Sequence, residues 1–206
     1  MMERFKQLCL AISAIQEEKE LTEQFRRIAD LLFRGYGVKC GEKCYRFAEV
    51  EFYYFRKGAF ENDWNRVTYP RTKNCGEFFY HLSGVDICFD SDFTKPNAEF
   101  GGILIRSLVE DNERALVFGP LTCKNEMLNN CEHDMPVLYE LDKEYECRLG
   151  ATNRYGINLK DENVRKHCFF DERIGIDNWK RETKIYNYRK LEAGSRITRY
   201  KTDRFI

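Results

Sequence analysis

The chain lacks a net charge: 34 lysines and arginines are balanced by 34 aspartates and glutamates over 206 residues. No overall basic field therefore argues for nucleic acid or an anionic surface as partner. A long apolar run is missing too. The opening stretch MMERFKQLCLAISAIQEEKE has only a short apolar patch, interrupted by Lys6 and Gln7. It has neither the length of a membrane span nor the form of a signal peptide. The expectation is a cytoplasmic protein with no membrane partner. Internal repeats, low-complexity segments and linkers are also absent. What is present, 43% hydrophobic and 15% aromatic residues, suffices for one full core, so a single domain over residues 1–206 is expected.

Nine cysteines would suit a disulfide framework, but the number is odd and they lie in apolar settings such as VDICFD around Cys88. Reduced core thiols are the simpler expectation. Cys40 and Cys44 form the only close pair. Without a second pair or a nearby histidine they make a poor zinc site, which normally takes four ligands. Neither a metal nor a cofactor is expected. His133 and His167 sit in polar or cysteine-flanked surroundings and receive no role.

Apolar residues at helical spacing predict helices over 3–18 and 21–34, the second capped by Thr22 and stopped at RGYG. RFAEVEFYYF, residues 46–55, reads as a strand, because aromatic and β-branched residues dominate it and nothing interrupts it. Alternation puts Ala48, Val50, Phe52 and Tyr54 on one face. Glu49 and Glu51 then stand on the other, among Phe47, Tyr53 and Phe55. A polar loop of about twenty residues follows, carrying Trp64 and Tyr69, and loops of that length are often functional. EFFYHLSGVDICF predicts a hairpin with Gly84 at a turn or bulge, GGILIRSLVE a strand, and FGPLTCKNEML a helix opened near Pro120. Short strands are expected around YECRL, RIGID and KIYNYRKL. The outline is a helical segment over 1–34, a β-rich core over 45–190 and a basic tail over 191–206.

Two features ask for an explanation. Glu49 and Glu51 stand among aromatic rings, either as solvated acids of an edge strand or as part of a site. Arg106 interrupts an apolar strand, where a guanidinium needs a carboxylate, a phosphate or water. Asp86 and Asp90 are the nearby structural partners; a phosphate would be a functional one.

The order of these features is specific: IADLL closing a helix, a Glu-any-Glu-any-Tyr strand, a long loop, the hairpin FFYHLSGVDICF, then ILIRSL, GP opening a helix, and RIGID. In this order, over roughly residues 25–190, the chain resembles the alkyladenine (3-methyladenine) DNA glycosylase family of the single-domain, mixed α/β type. The resemblance implies an α+β fold: a curved antiparallel sheet flanked by N-terminal and peripheral helices, similar to the formyltransferase C-terminal-like barrel. It implies that Glu51 activates the water that displaces a damaged base and that Tyr53, about 7 Å along the strand, stacks on that base. It also implies that Tyr80 joins the pocket and that Arg106 lies near the DNA backbone. Such chemistry needs a flipped nucleotide, electron-rich ring faces and a delivered water. A desolvated cationic base over an aromatic ring gains on the order of 2 kcal/mol.

The departures are as informative. Ser83 stands where the family carries a bulky intercalating aromatic, Asn62 with Trp64 nearby where it has a loop histidine, and Asp90 where it has a pocket-floor asparagine. Trp64 and Asp90 are therefore expected to read the base in altered fashion. His81, on the strand face opposite Tyr80, is either a core or surface imidazole or, paired with Asp86, a pocket donor. The expected function is hydrolysis of the N-glycosidic bond of an altered purine in DNA, single-stranded or distorted. The alternatives are a hydrolase of free nucleosides or nucleotides and a non-catalytic binding module. From Trp179 onward nine lysines and arginines face three acids, either a phosphate-facing surface or a solvated tail. If the stretch meets phosphates, a gel-shift series should show DNA affinity falling by roughly 0.9 log unit per neutralised phosphate for each log unit of salt. Single-stranded or mismatched DNA should compete at least as well as perfect duplex.

Overall fold

The aromatic strand identified in the sequence is the spine of the protein. In the computed structural model, which describes residues 3–61, 68–111, 115–131, 135–154, 167–174 and 196–197, it runs as β2 (Lys43–Arg56). Two helices precede it, α1 (Glu3–Leu10) and α2 (Glu18–Gly35), then β1 (Tyr36–Cys40). After it come β3 (Thr72–Lys73), β4 (Phe78–His81), β5 (Gly84–Cys88), β6 (Ser91–Asp92), β7 (Glu99–Glu110) and β8 (Ala115–Phe118). The series closes with α3 (Pro120–Asn130), β9 (Val137–Glu140), β10 (Leu149–Thr152), β11 (Cys168–Asp171) and β12 (Arg196–Ile197). The sheet runs β10-β11-β2-β7-β5-β4, with β1 and β9 added beside β2. All pairings are antiparallel except β8 with β12. This is one domain of mixed α and β content built on an antiparallel sheet.

One face of the sheet packs on α2. Phe25 of that helix stacks on Phe52 at 4.6 Å and on Phe89 at 5.9 Å, while Phe169 meets Phe52 edge-on at 5.5 Å. These rings are fully or almost fully buried and belong to one continuous core that also takes in Cys123 and Met127 of α3. Aromatic burial of this kind dominates core energetics.

β2 and β7 pair over eleven positions, but the register slips and recovers within them. Phe47 faces Leu108, Glu49 faces Ser107, and Val50 faces Ile105, so Ala48 on one strand and Arg106 on the other are skipped. Each strand holds one extra residue and the two cancel. Alternation shifts phase there: Tyr45 and Phe47 join the core before the slip, Val50, Phe52 and Tyr54 after it. Simple alternation had placed Ala48 on the core face and Phe47 beside the glutamates. The bulge reverses Phe47, which packs in the core.

The helix expected over 3–18 ends at Leu10, tightens into a 3-10 turn over Ala11–Ala14 and is extended at Ile15. Arg56 of β2 donates to the carbonyl oxygens of Ser13 and Ile15, satisfying acceptors that a helix end leaves open. α2 begins at Glu18 rather than after Thr22, with Glu18 and Glu20 in its first turn, where carboxylates favour the positive helix end. Thr22 lies inside that helix and bonds to the Glu18 carbonyl and to Nε2 of His167 at 2.8 Å. Of the turn or bulge expected at Gly84 the structure has the turn: β4 and β5 form a hairpin closed by Leu82 and Ser83, with Gly84 paired to His81. YECRL contributes only Leu149 to a strand. Arg173 and Ile174 of RIGID form a 3-10 turn. The remainder of RIGID, KIYNYRKL and most of the basic tail lie outside the described residues. No described helix is long and apolar enough to cross a membrane.

His167 is buried against Phe25 at 4.9 Å, edge-on. Burial, followed by the nearby Arg154 charge, pushes its imidazole down to about 3. The folded protein keeps it neutral while the unfolded chain takes up a proton below about 6.5. Stability from this residue is complete above that pH and is lost as pH falls toward 3. Replacing it, His167→Gln, should flatten the decline measured by urea unfolding between pH 6 and 4 by up to about 1.4 kcal/mol per pH unit.

Candidate functional site

The face of the sheet turned away from α2 carries charge. Arg106 rises from β7 between the two glutamates of β2, its Nε donating to Glu49 at 3.1 Å and its Nη1 to Glu51 at 2.7 Å. The second oxygen of Glu51 accepts the Tyr53 hydroxyl at 2.6 Å. Glu49 also accepts from the Ser107 hydroxyl at 3.3 Å and the Cys168 thiol at 3.1 Å. The register slip makes this possible, because it brings Arg106 and Ser107, consecutive in β7, onto the same carboxylate.

The cluster is dry: Glu51 is 0% and Glu49 1% exposed. Burial alone would lower the Arg106 guanidinium, but Glu49 and then Glu51 hold it well above its ordinary value. The Tyr53 phenol is raised well above its own, first by burial and then by the Glu51 carboxylate, so it stays a hydrogen-bond donor. Arg154 lies over the Tyr53 ring, 5.4 Å from its centroid, and donates to the Phe52 carbonyl.

A second charged group shares this face. Glu51 pairs with Leu104 and Leu104 with Asp86, two strand spacings or roughly 10 Å between the outer Cα atoms. Asp86 accepts from Arg71 at 2.6 Å, and His81 Nε2 lies 3.2 Å from its other oxygen. Arg71 stacks over Phe79 at 4.1 Å. It lies above Gly102, where an added methyl would come within 3.2 Å of its Nη1 and 2.8 Å of the Ile87 carbonyl oxygen.

The structure thus brings Glu49, Glu51, Tyr53 and Arg106 into contact and sets Asp86 and His81 on the same face. It does not bring Tyr80 and Asp90 to them. Tyr80 pairs with Val85, one residue out of phase with Asp86, and packs against the core on the opposite face. Asp90 is exposed beyond the end of β5 and accepts from the Cys75 amide. It lines a cleft of about 570 Å³ with Leu10, Ser13 and Asp92 that includes none of the glutamate cluster. Arg106 had been expected near a DNA backbone or beside Asp86 or Asp90. It is instead 4% exposed and clasped by Glu49 and Glu51, because Arg71 takes Asp86. Trp64 and Asn62 lie outside the described residues. Sequence reasoning missed Arg71, Ser107, Arg154 and Cys168. Arg71 and Arg154 sit in stretches without strand periodicity, and Ser107 and Cys168 read as ordinary strand residues.

Among the described residues no group of three or more histidines, cysteines and acids is placed to hold a metal ion. All nine cysteines are free thiols. Compared with family models, curated proteins and solved structures, the chain gives no match.

Removing the guanidinium would strand two buried carboxylates, a situation that typically costs about 3–5 kcal/mol. Arg106→Leu should lower stability by that order in urea unfolding. Arg46→Leu, which removes a partly exposed partner of Asp111, should cost about 1 kcal/mol or less.

Proposed function

We propose that the chain is a base-excising hydrolase that cleaves the N-glycosidic bond of an altered purine, with Glu51 as the group that activates water. The substrate is DNA, single-stranded or already distorted, or a nucleoside. The supporting observation is the pair of dry carboxylates on one strand face, Glu51 hydrogen-bonded to the Tyr53 hydroxyl and both held by Arg106. In a low-dielectric setting carboxylates stabilise a sugar that turns cationic as the base departs. Glu51 takes a proton from the attacking water, the oxygen bonds to the anomeric carbon, and the base leaves with the bonding electrons. Arg106 and the Tyr53 hydroxyl position the carboxylate. Arg154 covers one face of the Tyr53 ring, so a base would stack on the other.

A second reading has its own observation. Both oxygens of Glu51 are already hydrogen-bonded and the residue is wholly buried, which suits a structural polar network in a non-catalytic binding module. One variant separates the two. Glu51→Gln keeps the shape and loses the charge and the base. In the hydrolase, base release from alkylated or deaminated purines in single-stranded DNA, followed by chromatography of free base, falls by at least about 100-fold, while the protein still folds. In the binding module the wild type releases no base and the substitution changes only the melting temperature.

A further inference from the structure

The tip of the β4–β5 hairpin carries a hydrogen-bonded chain of three side chains that the base-excision chemistry does not use. The carboxylate of Asp86 is buried and fixed from its far side by Arg71. His81 Nε2 lies 3.2 Å from the free oxygen of Asp86, and His81 Nδ1 lies 3.1 Å from the Ser83 hydroxyl. Ser83 is exposed in the turn. The order is therefore buried carboxylate, almost buried imidazole, exposed hydroxyl. With the ring proton on Nε2, held by Asp86, Nδ1 is the acceptor for the Ser83 proton. This is the division of roles that activates a serine nucleophile, recognised by geometry rather than sequence position.

The surroundings hold the chain still and supply positive potential. Tyr69 lies against the His81 ring at 4.9 Å between centroids. Lys124 of α3 donates from Nζ to the carbonyl oxygens of His81 and Leu82, at 2.9 and 3.0 Å, gripping the turn from the backbone side. Gly84 touches the start of that helix: a methyl on it would lie 3.1 Å from Cβ of Pro120. The helix has no side-chain cap at Gly119, so its positive end and the Lys124 ammonium both lie against the turn that carries Ser83, where they favour the negative charge that forms on a carbonyl oxygen when Ser83 attacks its carbon. Beside the hydroxyl, Leu82 is 87% exposed. Leu121, on the same helix face as Lys124, is 51% exposed. Among the described residues both offer exposed apolar surface.

We propose that Ser83, His81 and Asp86 form an acyl-transfer site for esters with a short apolar acyl chain. Ser83 Oγ bonds to the ester carbonyl carbon as its proton passes to His81 Nδ1. The tetrahedral adduct collapses, the carbon–oxygen bond to the alcohol breaks, and that alcohol leaves with the proton from His81. Water then attacks the acyl-serine, giving its proton to His81, and the carboxylic acid and free Ser83 are regenerated. No further reactant is required. Glu51 takes no part, so the site stands or falls independently of base excision.

The test uses the full chain with p-nitrophenyl butyrate as substrate and a fluorophosphonate as covalent probe. The wild type should hydrolyse the ester above the buffer rate and take up one phosphonyl group on Ser83, located by peptide mass spectrometry. Ser83→Ala should return hydrolysis to the buffer rate and abolish the adduct. His81→Gln should lower both rates by at least about 100-fold. Both substitutions lie in or next to an exposed turn, and circular dichroism checks that they fold, whereas Asp86→Asn would strand the buried Arg71. A Ser83→Ala protein that keeps the wild-type rate, or a fluorophosphonate adduct found only on another residue, overturns the proposal. So does a wild type that neither turns over the ester nor takes the label.

Discussion

The grip of Arg106 on Glu49 and Glu51 is the interaction around which the sheet is organised. It joins the two longest strands at the middle of their length, and it does so in a dry environment where either partner alone would be strongly destabilising. The neighbouring hydrogen bonds follow from it. Once the guanidinium has used one oxygen of each carboxylate, Tyr53 and Ser107 occupy the other two, and Cys168 shares the Glu49 oxygen with Arg106. A buried network of this kind fixes its members only if every one is satisfied.

That constraint divides the sheet into two chemically distinct sides. The side facing α2 is aromatic and buries Phe25, Phe52, Phe89 and Phe169 together. The opposite side collects Glu49, Glu51, Arg106, Asp86, Arg71 and His81, charges that could not share a core with phenylalanines without partners. The first side packs ring on ring, and the second holds its charges in fixed pairs. Gly102, set between Tyr53 and Cys88 on β7's two neighbours, leaves the space in which Arg71 reaches Asp86.

Much of the framework was legible in the sequence because it rests on local rules. The density of aromatic and β-branched residues gave β2 and β7, Pro120 gave the start of α3, and two runs around Leu82 and Ser83 gave the hairpin. The pairing of Glu51 with Tyr53 on one face followed from alternation alone. What escaped was set by contacts distant in the chain. Ala48 carries no mark of a bulge, since the extra residue is defined only by its partner strand. The end of the first helix is fixed by Arg56, more than forty residues on. Tyr80 was assigned to the pocket by resemblance, but its pairing with Val85 turns it to the other face, and Arg106 found its acids two positions apart on β2 rather than nearby in its own hairpin.

The twin irregularity in β2 and β7 has a bearing on how this sequence can vary. Because the surplus residue on one strand is matched by a surplus residue on the other, the pairing beyond it resumes the same register on both sides. Losing Ala48 alone would leave Tyr45, Phe47, Val50, Phe52 and Tyr54 on one face of a regularly alternating β2 and both glutamates on the other, with only the surplus residue of β7 remaining as a one-sided bulge. Losing Arg106 alone would likewise keep Leu108, Ile105 and Ile103 on one face of β7, but would remove the guanidinium that holds both carboxylates. The two surplus positions, more than fifty residues apart in the chain, are therefore unequal: the one at Ala48 can be lost without turning its strand over, while the one at Arg106 is fixed by the two acids that its side chain must reach.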